Sequence, residues 1–388
     1  MRHRHRPAAP AGGFGGDFGP GAFITFRRVT TVRLRATGGA GRVTGTGNRQ
    51  RAEARTGHDD GWLVLSDRNP DGPLPAMVER GIFVAELALP LESRALLMEF
   101  GSLDGWERGL SLYYDPEAGL MIRHRQGRGL VRHLLPGALP GLQGIGRLSL
   151  HFDAPARHWS MRFEMIDDPE APVLRSRGAN PLPMLPSDVA ALSEAPARLG
   201  RHPAVLWFGL TRGDDLPARA PWIGLRSPVM TARGPVAAGL LQPGELVETA
   251  DNGLQPLLAL QPYALPACGS FAPVLLRAPY FPVQSDLLVS SDQMVALEGP
   301  EVEYLFGEDE VLVPAGALVD GQSAMAEQRR AVTPSVMLVF ERPELIIADG
   351  CALLAALPDD PPPRRCLELY EALTLMALLG RGAHRRRA

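Results

Sequence analysis

From Trp62 to Thr211 the chain consists of short runs in which apolar and polar residues alternate, and this pattern constrains its fold more than any other feature. The runs read WLVLS, GIFVAELAL, ALLMEF, LSLYYD, GLMIRHR, VRHLL, RLSLHFDA, HWSMRFEMI and VLWFGLT. Alternation with period two sends successive side chains to opposite faces of a pleated strand, so one face can be buried while the other stays wet. The turn signals NPDG, DPEAG, QGRG and DAPAR separate several of the runs. Strands at this spacing predict an antiparallel β-sandwich, with LSLYYD–PEAG–LMIRHR as its most legible hairpin. The 42 glycines and 37 prolines among 388 residues favour the same reading, because both residue types break a chain into short strands and turns.

Bulk properties exclude several classes. With 40 basic and 43 acidic residues, no global field calls for nucleic acid or an anionic membrane. Every basic residue is Arg. No apolar run approaches the roughly 20 residues that span a bilayer. The N-terminus has a basic start, RHRHR, but no apolar core, so it does not read as a secretory signal. The expected location is therefore the cytoplasm, or the exterior by a signal-peptide-independent route. Cys268, Cys351 and Cys366 form no CxxC pair and are odd in number, which predicts buried or free thiols rather than a disulfide framework or a zinc site. No cofactor and no metal is expected. Residues 1–60 read as a flexible or poorly ordered arm, although AFITFRRVTTVRLRA alternates well enough for one or two strands.

Within residues 61–215 the candidate chemistry is sparse. His151, Asp153 and His158 lie close in sequence, as do His124 and His133, but the bland reading is structural. RLSLHFDA places Leu148, Leu150 and Phe152 inward and its polar residues on a solvated face. Trp106, Trp159 and Trp207 offer a sugar platform if they converge, and core packing if they do not. Pro181–Arg201 reads as a Pro-punctuated loop with one helical turn after Ser187. The order of strands resembles a concanavalin A-like (laminin-G-like) jelly roll, on pattern alone.

The C-terminal half carries a more specific likeness. Asp286–Gly321 holds two apolar runs, LLVSSDQMVAL and EVLVPAGALV, separated by an acidic turn, GEDE; each reads as a strand passing through a loop. Upstream, Thr231 and Gly234 mark a turn, Pro243-Gly244-Glu245-Leu246-Val247 a strand start, and Asp251-Asn252-Gly253-Leu254-Gln255-Pro256 a hairpin. An Asn-Gly pair suits a type I′ turn, whose central residues need positive φ. Val311–Gly321 reads VLVPAGALVDG, and Ser335–Gly350 reads SVMLVFERPELIIADG. Together these segments resemble the bacterial Hedgehog/intein (Hint) autoprocessing family over about Ala218–Pro358.

The resemblance implies an all-β fold and a chemistry. In that family a first-position Cys attacks the carbonyl before it, and a His protonates the leaving amide nitrogen. By the same alignment the first position here is Trp222, and indole cannot attack a carbonyl. The family's Ser-x-x-His element becomes Ser290-Ser291-Asp292-Gln293, so Gln293 stands in the place of the catalytic His. Met337 and Pro343 replace two later histidines. Positions that make turns and strands are kept, whereas Trp222, Gln293 and Met337 can move neither protons nor electrons. Ser227 is the remaining candidate nucleophile, by an N→O shift with Asp292 as substitute acid; its bland reading is a turn residue before Pro228. Cys268 reads as a buried thiol.

The expected organisation is an arm (1–60), a jelly-roll-like sandwich (61–215), a Hint-like β unit (216–358) and a Pro-rich linker, helix and basic tail (359–388). In the tail, Leu367, Tyr370, Leu373, Leu375 and Ala377 make a helical stripe and Gly380 a stop. Three functions follow from this reading. The first is an autoprocessing-inactive Hint protein serving as a binding or structural module for an unidentified protein or glycan. The second is a self-cleaving protein acting through Ser227. The third is a glycan-binding, lectin-like module.

Overall fold

A computed structural model describes residues 61–68, 70, 72–140, 143–168, 170–194, 201–217, 220–281, 283–357 and 360–385. The arm expected over residues 1–60 lies outside the described residues. No helix among them is long and apolar enough to cross a membrane.

Each alternating run between Trp62 and Thr211 forms a strand. They are β1 Trp62–Leu65, β2 Arg80–Leu89, β3 Ala95–Ser102, β4 Arg108–Asp115, β5 Gly119–Gln126, β6 Gly129–Leu135, β7 Gly144–Asp153, β8 His158–Met165 and, after an edge strand β9 at Leu174–Ala179, β10 Val205–Thr211. All their pairings are antiparallel, in a six-stranded sheet ordered β1-β10-β2-β7-β8-β9 and a four-stranded sheet ordered β3-β4-β5-β6. The β4–β5 hairpin closes at Asp115 opposite Gly119, where the Asp115 carboxylate accepts the amides of Glu117 and Ala118. Phe83, Ala85 and Leu87 of β2, and Leu148, Leu150 and Phe152 of β7, face Leu110, Leu112, Leu120 and Ile122 in one core.

Two expectations for this half need correction. The Pro181–Arg201 stretch contains a nine-residue helix, α1 Pro186–Glu194, instead of a single turn. Val189, Ala190 and Leu192 enter the sandwich core, and Asp188 of its first turn is paired with Arg108 at 2.5 Å. Burial repays what propensity alone does not promise. The outward face of RLSLHFDA is also not simply wet, since Arg147 and Ser149 are buried.

The second half is likewise β-rich. One six-stranded sheet, ordered β16-β22-β11-β18-β17-β21, comprises β11 Ile223–Gly224, β16 Ala259–Pro266, β17 Val274–Leu276, β18 Leu287–Val289, β21 Ala324–Ala326 and β22 Val332–Val339. An eight-stranded sheet comprises β12 Pro228–Thr231, β13 Gly234–Ala237, β14 Leu246–Thr249, β15 Gly253–Pro256, β19 Met294–Glu298, β20 Glu310–Pro314, β23 Glu344–Ala348 and β24 Cys351–Ala355. Ile223, Leu276, Val289 and Val336 of the first sheet meet Val229, Val295, Val313 and Ile346 of the second in a shared core. The continuous apolar spelling of ELIIA and CALLA follows from burial on both faces, because Leu345, Ile347, Ala352 and Leu354 form a further cluster behind.

Asp286–Gly321 does pass as strand, turn and strand, but a short helix, α2 Pro300–Phe306, also intervenes before GEDE. At the Asn252-Gly253 hairpin only Gly253 has positive φ (+64°), so the turn is not type I′. Thr249 pairs with Gly253 across a three-residue loop, the arrangement that needs one left-handed glycine. The C-terminal helix, α3 Leu369–Arg385, runs through Gly380. Its docked face is Ala372, Leu375, Met376 and Leu379, spaced i, i+3, i+4, i+7, whereas Tyr370 and Leu373 are exposed. The segment before it is stitched to β20: the Leu312 amide donates to the Arg365 carbonyl, and the Leu367 amide to the Leu312 carbonyl, each at 2.8 Å.

Candidate functional site

β11 is only two residues long and sits centrally, with Ile223 opposite both Val289 of β18 and Val336 of β22. That pairing places Trp222 beside Ser290 and Met337. The indole is 5% exposed and shares a buried cluster with Ala220, Leu265 and Met337; Tyr263 packs against it with ring centroids 5.6 Å apart. Trp222 and Met337, predicted to share the site, are therefore side by side in an apolar plug.

The peptide joining Pro221 to Trp222 is held by hydrogen bonds. The Trp222 amide donates to the Ala220 carbonyl at 2.9 Å, a bond that closes a γ-turn around Pro221, and to Ser290 Oγ at 3.2 Å. Ser290 Oγ spends its own proton on the Ala220 carbonyl at 2.9 Å, and its backbone amide donates to the Trp222 carbonyl at 2.7 Å. Ser290 thus clamps both sides of Trp222, with its hydroxyl proton aimed away from the Trp222 nitrogen.

Gln293 is tied to the same turn, its amide donating to the Ser290 carbonyl at 3.1 Å. Its side chain is buried, and Nε2 donates to the Met294 carbonyl at 3.0 Å and the Leu354 carbonyl at 2.8 Å. Both amide hydrogens serve as a brace between β19 and β24. Pro343 lies at the turn leading into β23.

Ser227 occupies a different setting. It is buried; its amide donates to the Gly224 carbonyl at 2.9 Å and its hydroxyl to the Leu288 carbonyl at 3.2 Å. It lines a cleft of about 640 Å³, with Arg226, Arg329 and Arg330 among the other walls. Among the described residues no basic side chain accepts the Ser227 hydroxyl proton, which goes to the Leu288 carbonyl.

The remaining candidates disperse. The Asp153 carboxylate accepts the Ala156 amide at 2.8 Å and His158 is exposed, so these two do not gather a site with His151. Among the described residues no group of three or more His, Cys, Asp or Glu is placed to hold a metal ion. Trp159 and Trp207 are buried in separate clusters and only Trp106 is substantially exposed, so the three indoles make no common platform. Burial pushes the Cys351 thiol up to about 12 and raises Cys268 and Cys366 as well, which removes all three as thiolates near neutral pH.

Residues 226–360 match the family model of the Hint domain. The chain carries a Hint domain. No curated protein matches the chain. The matched span covers Ser227, Ser290, Gln293 and Met337, and begins just after Trp222. Turn positions that the resemblance rests on have evident structural duties: the Gly234 carbonyl accepts from Thr231 Oγ1 at 2.7 Å, and the Gly253 carbonyl accepts from the neighbouring Thr249 Oγ1 at 2.9 Å. Sequence reading missed the role of Ser290 as a clamp, since the bond to Ala220 joins residues 70 apart.

Proposed function

We propose that this Hint domain does not self-process, and that the chain serves as a binding or structural module, divided near residues 212–220 into a sandwich (61–215) and the Hint unit (216–358). One observation carries this reading: Ser290 Oγ accepts from the Trp222 amide and directs its own proton to the Ala220 carbonyl. An acyl shift at the Pro221–Trp222 peptide breaks the C–N bond, forms a new bond from carbonyl carbon to nucleophile, and requires a proton at the leaving nitrogen. Indole offers no nucleophile, the Ser290 proton points elsewhere, and both Gln293 amide hydrogens are engaged by backbone carbonyls. General acid catalysis alone is worth about 10²–10⁴-fold, so its loss together with the nucleophile leaves no practical rate. Self-cleavage through Ser227 is less well supported, because its hydroxyl donates to the Leu288 carbonyl in a buried turn. The partner class is a protein or glycan, met in the cytoplasm or after export without a signal peptide.

The test is intact mass. The purified chain is expected to stay at 41.8 kDa, the composition mass, with hydroxylamine or thiols present. Trp222→Cys alone stays whole, whereas Trp222→Cys with Gln293→His and Met337→His regains slow scission before residue 222. A discrete fragment of the unmodified chain ending at Pro221 or Arg226 refutes the proposal, the second end making Ser227 the nucleophile.

A further inference from the structure

The outer face of the six-stranded sheet of the sandwich holds a carboxylate that water does not reach. Glu86 on β2 is 0% exposed. Its Oε1 accepts from Arg147 Nε at 3.1 Å and Nη2 at 3.0 Å, and from Ser270 Oγ at 2.5 Å. Its Oε2 accepts from Trp207 Nε1 at 2.6 Å and the Ser270 amide at 2.9 Å. Arg147 and Trp207 belong to the sandwich; Ser270 lies 184 residues from Glu86, in the short turn Gly269–Phe271 between β16 and β17 of the C-terminal half. A buried carboxylate is tolerated only when its lone pairs are met, and here the last of them are met from the other half of the chain.

The turn is shaped for this insertion. Gly269 has φ +55°, and a Cβ there would lie 1.7 Å from Trp207 Nε1 and 2.2 Å from Glu86 Oε2, so only glycine lets the backbone approach. The next residue but one, Phe271, places its ring 4.0 Å from the Arg147 guanidinium carbon. Around the polar centre, Trp62, Leu65, Val84, Trp207 and Phe271 form one buried cluster, with Trp62 and Trp207 ring centroids 6.0 Å apart. Trp62 Nε1 also donates to the Ala264 carbonyl at 3.2 Å. This is the anatomy of a specific interface: aromatic anchors surround a desolvated, fully paired charge.

We propose that Gly269–Phe271 is a latch that binds the sandwich to the Hint half independently of the covalent connection, so that scission between them leaves both in one complex. A cut of the connecting chain, whether by protease or by any self-processing at Trp222, then fails to release the N-terminal half. The inference does not rest on the loss of self-processing and survives its failure.

A sequence-specific protease site inserted between Asp214 and Asp215, both exposed, tests the latch in the full chain. After cutting, a denaturing gel shows two fragments, and native size exclusion at micromolar concentration is expected to show one species with the elution volume of the uncut chain. In the cut protein Ser270→Ala is expected to weaken association about tenfold to a hundredfold, because it removes a hydrogen bond to a buried charge. Gly269→Val is expected to abolish it. Thermal melts of the uncut variants separate a lost latch from a lost fold. Two outcomes overturn the proposal: separate elution of the cut but otherwise unmodified halves, or cut Ser270→Ala and Gly269→Val proteins that associate as tightly as the unmodified one.

Discussion

Mild acid should destabilise this protein through two histidines. His124 on β5 and His133 on β6 face the sandwich core, where His133 meets the edge of Trp159 with ring centroids 4.7 Å apart. Both nitrogens of His133 and Nδ1 of His124 are buried without a partner, while His124 Nε2 accepts from Gln126 Nε2 at 3.1 Å. Desolvation therefore favours the neutral rings, lowering His124 to about 4, and lowering His133, with its charged neighbour His124 adding to the effect, to about 3. In the unfolded chain both titrate near 6.5. Below pH 6.5 the unfolded state binds protons that the folded state refuses, so stability is complete above that pH and is lost as pH falls towards 4 and 3. Integrated from neutral to pH 5, each ring costs about 2 kcal/mol and the pair about 4 kcal/mol, against a typical total of about 5–15 kcal/mol. His151 is also lowered, chiefly by burial with Asp215 opposing, and adds a smaller part in the same window. The lowered carboxylates, Asp115, Glu245, Asp320, Glu327 and Glu371, have the same sign but act mainly below about pH 4.5. Urea unfolding at pH 7.5 and pH 5, followed by fluorescence and circular dichroism, measures the loss. His124→Gln with His133→Leu should abolish most of it. An unchanged pH dependence in that double variant would falsify the assignment.

Two further outcomes are expected. Trp222→Ala should destabilise the Hint half by about 2–5 kcal/mol in urea titration, through the cavity left beside Leu265 and Met337; a loss below about 1 kcal/mol refutes the buried plug. The native protein should react slowly with an aromatic disulfide at pH 8, Cys351 slowest of all because it is fully buried, and all three thiols should react promptly in denaturant; rapid native labelling of Cys351 refutes its placement.

Of the site proposed for the Hint domain, only the residue identities were legible in the sequence. Trp222, Gln293 and Met337 stand where a nucleophile and proton donors are expected by resemblance, and a side chain that cannot donate a proton is recognisable from its type. What those residues do instead was not legible. Gln293 braces two carbonyls 1 and 61 residues away, and the Ser290 clamp depends on β11 lying between β18 and β22. Edge strand β9 escaped notice because LRSRGA has only small or half-covered residues on its inner side, so period two has little contrast there.

Local periodicity determined the strands, because the alternation of Cβ directions is a property of each strand alone. It determined the hairpin at Asp115–Gly119 and the inward set Leu148, Leu150 and Phe152 for the same reason. Turn chemistry was partly local: Gly253 needed positive φ, but the loop length that removed the same demand from Asn252 came from the pairing of Thr249 with Gly253. Helix α3 ran past Gly380 and docked through Ala372 and Leu375, since packing energy outweighs the roughly 1 kcal/mol by which one glycine disfavours a helix. Only the tertiary structure decided which faces are covered and by what. GIFVAELAL is apolar almost throughout because β2 is buried on both sides, and the polar exception, Glu86, is the residue that a turn 184 positions away completes. A pleat fixes which residues share a face, whereas what covers that face depends on contacts between residues far apart in the chain.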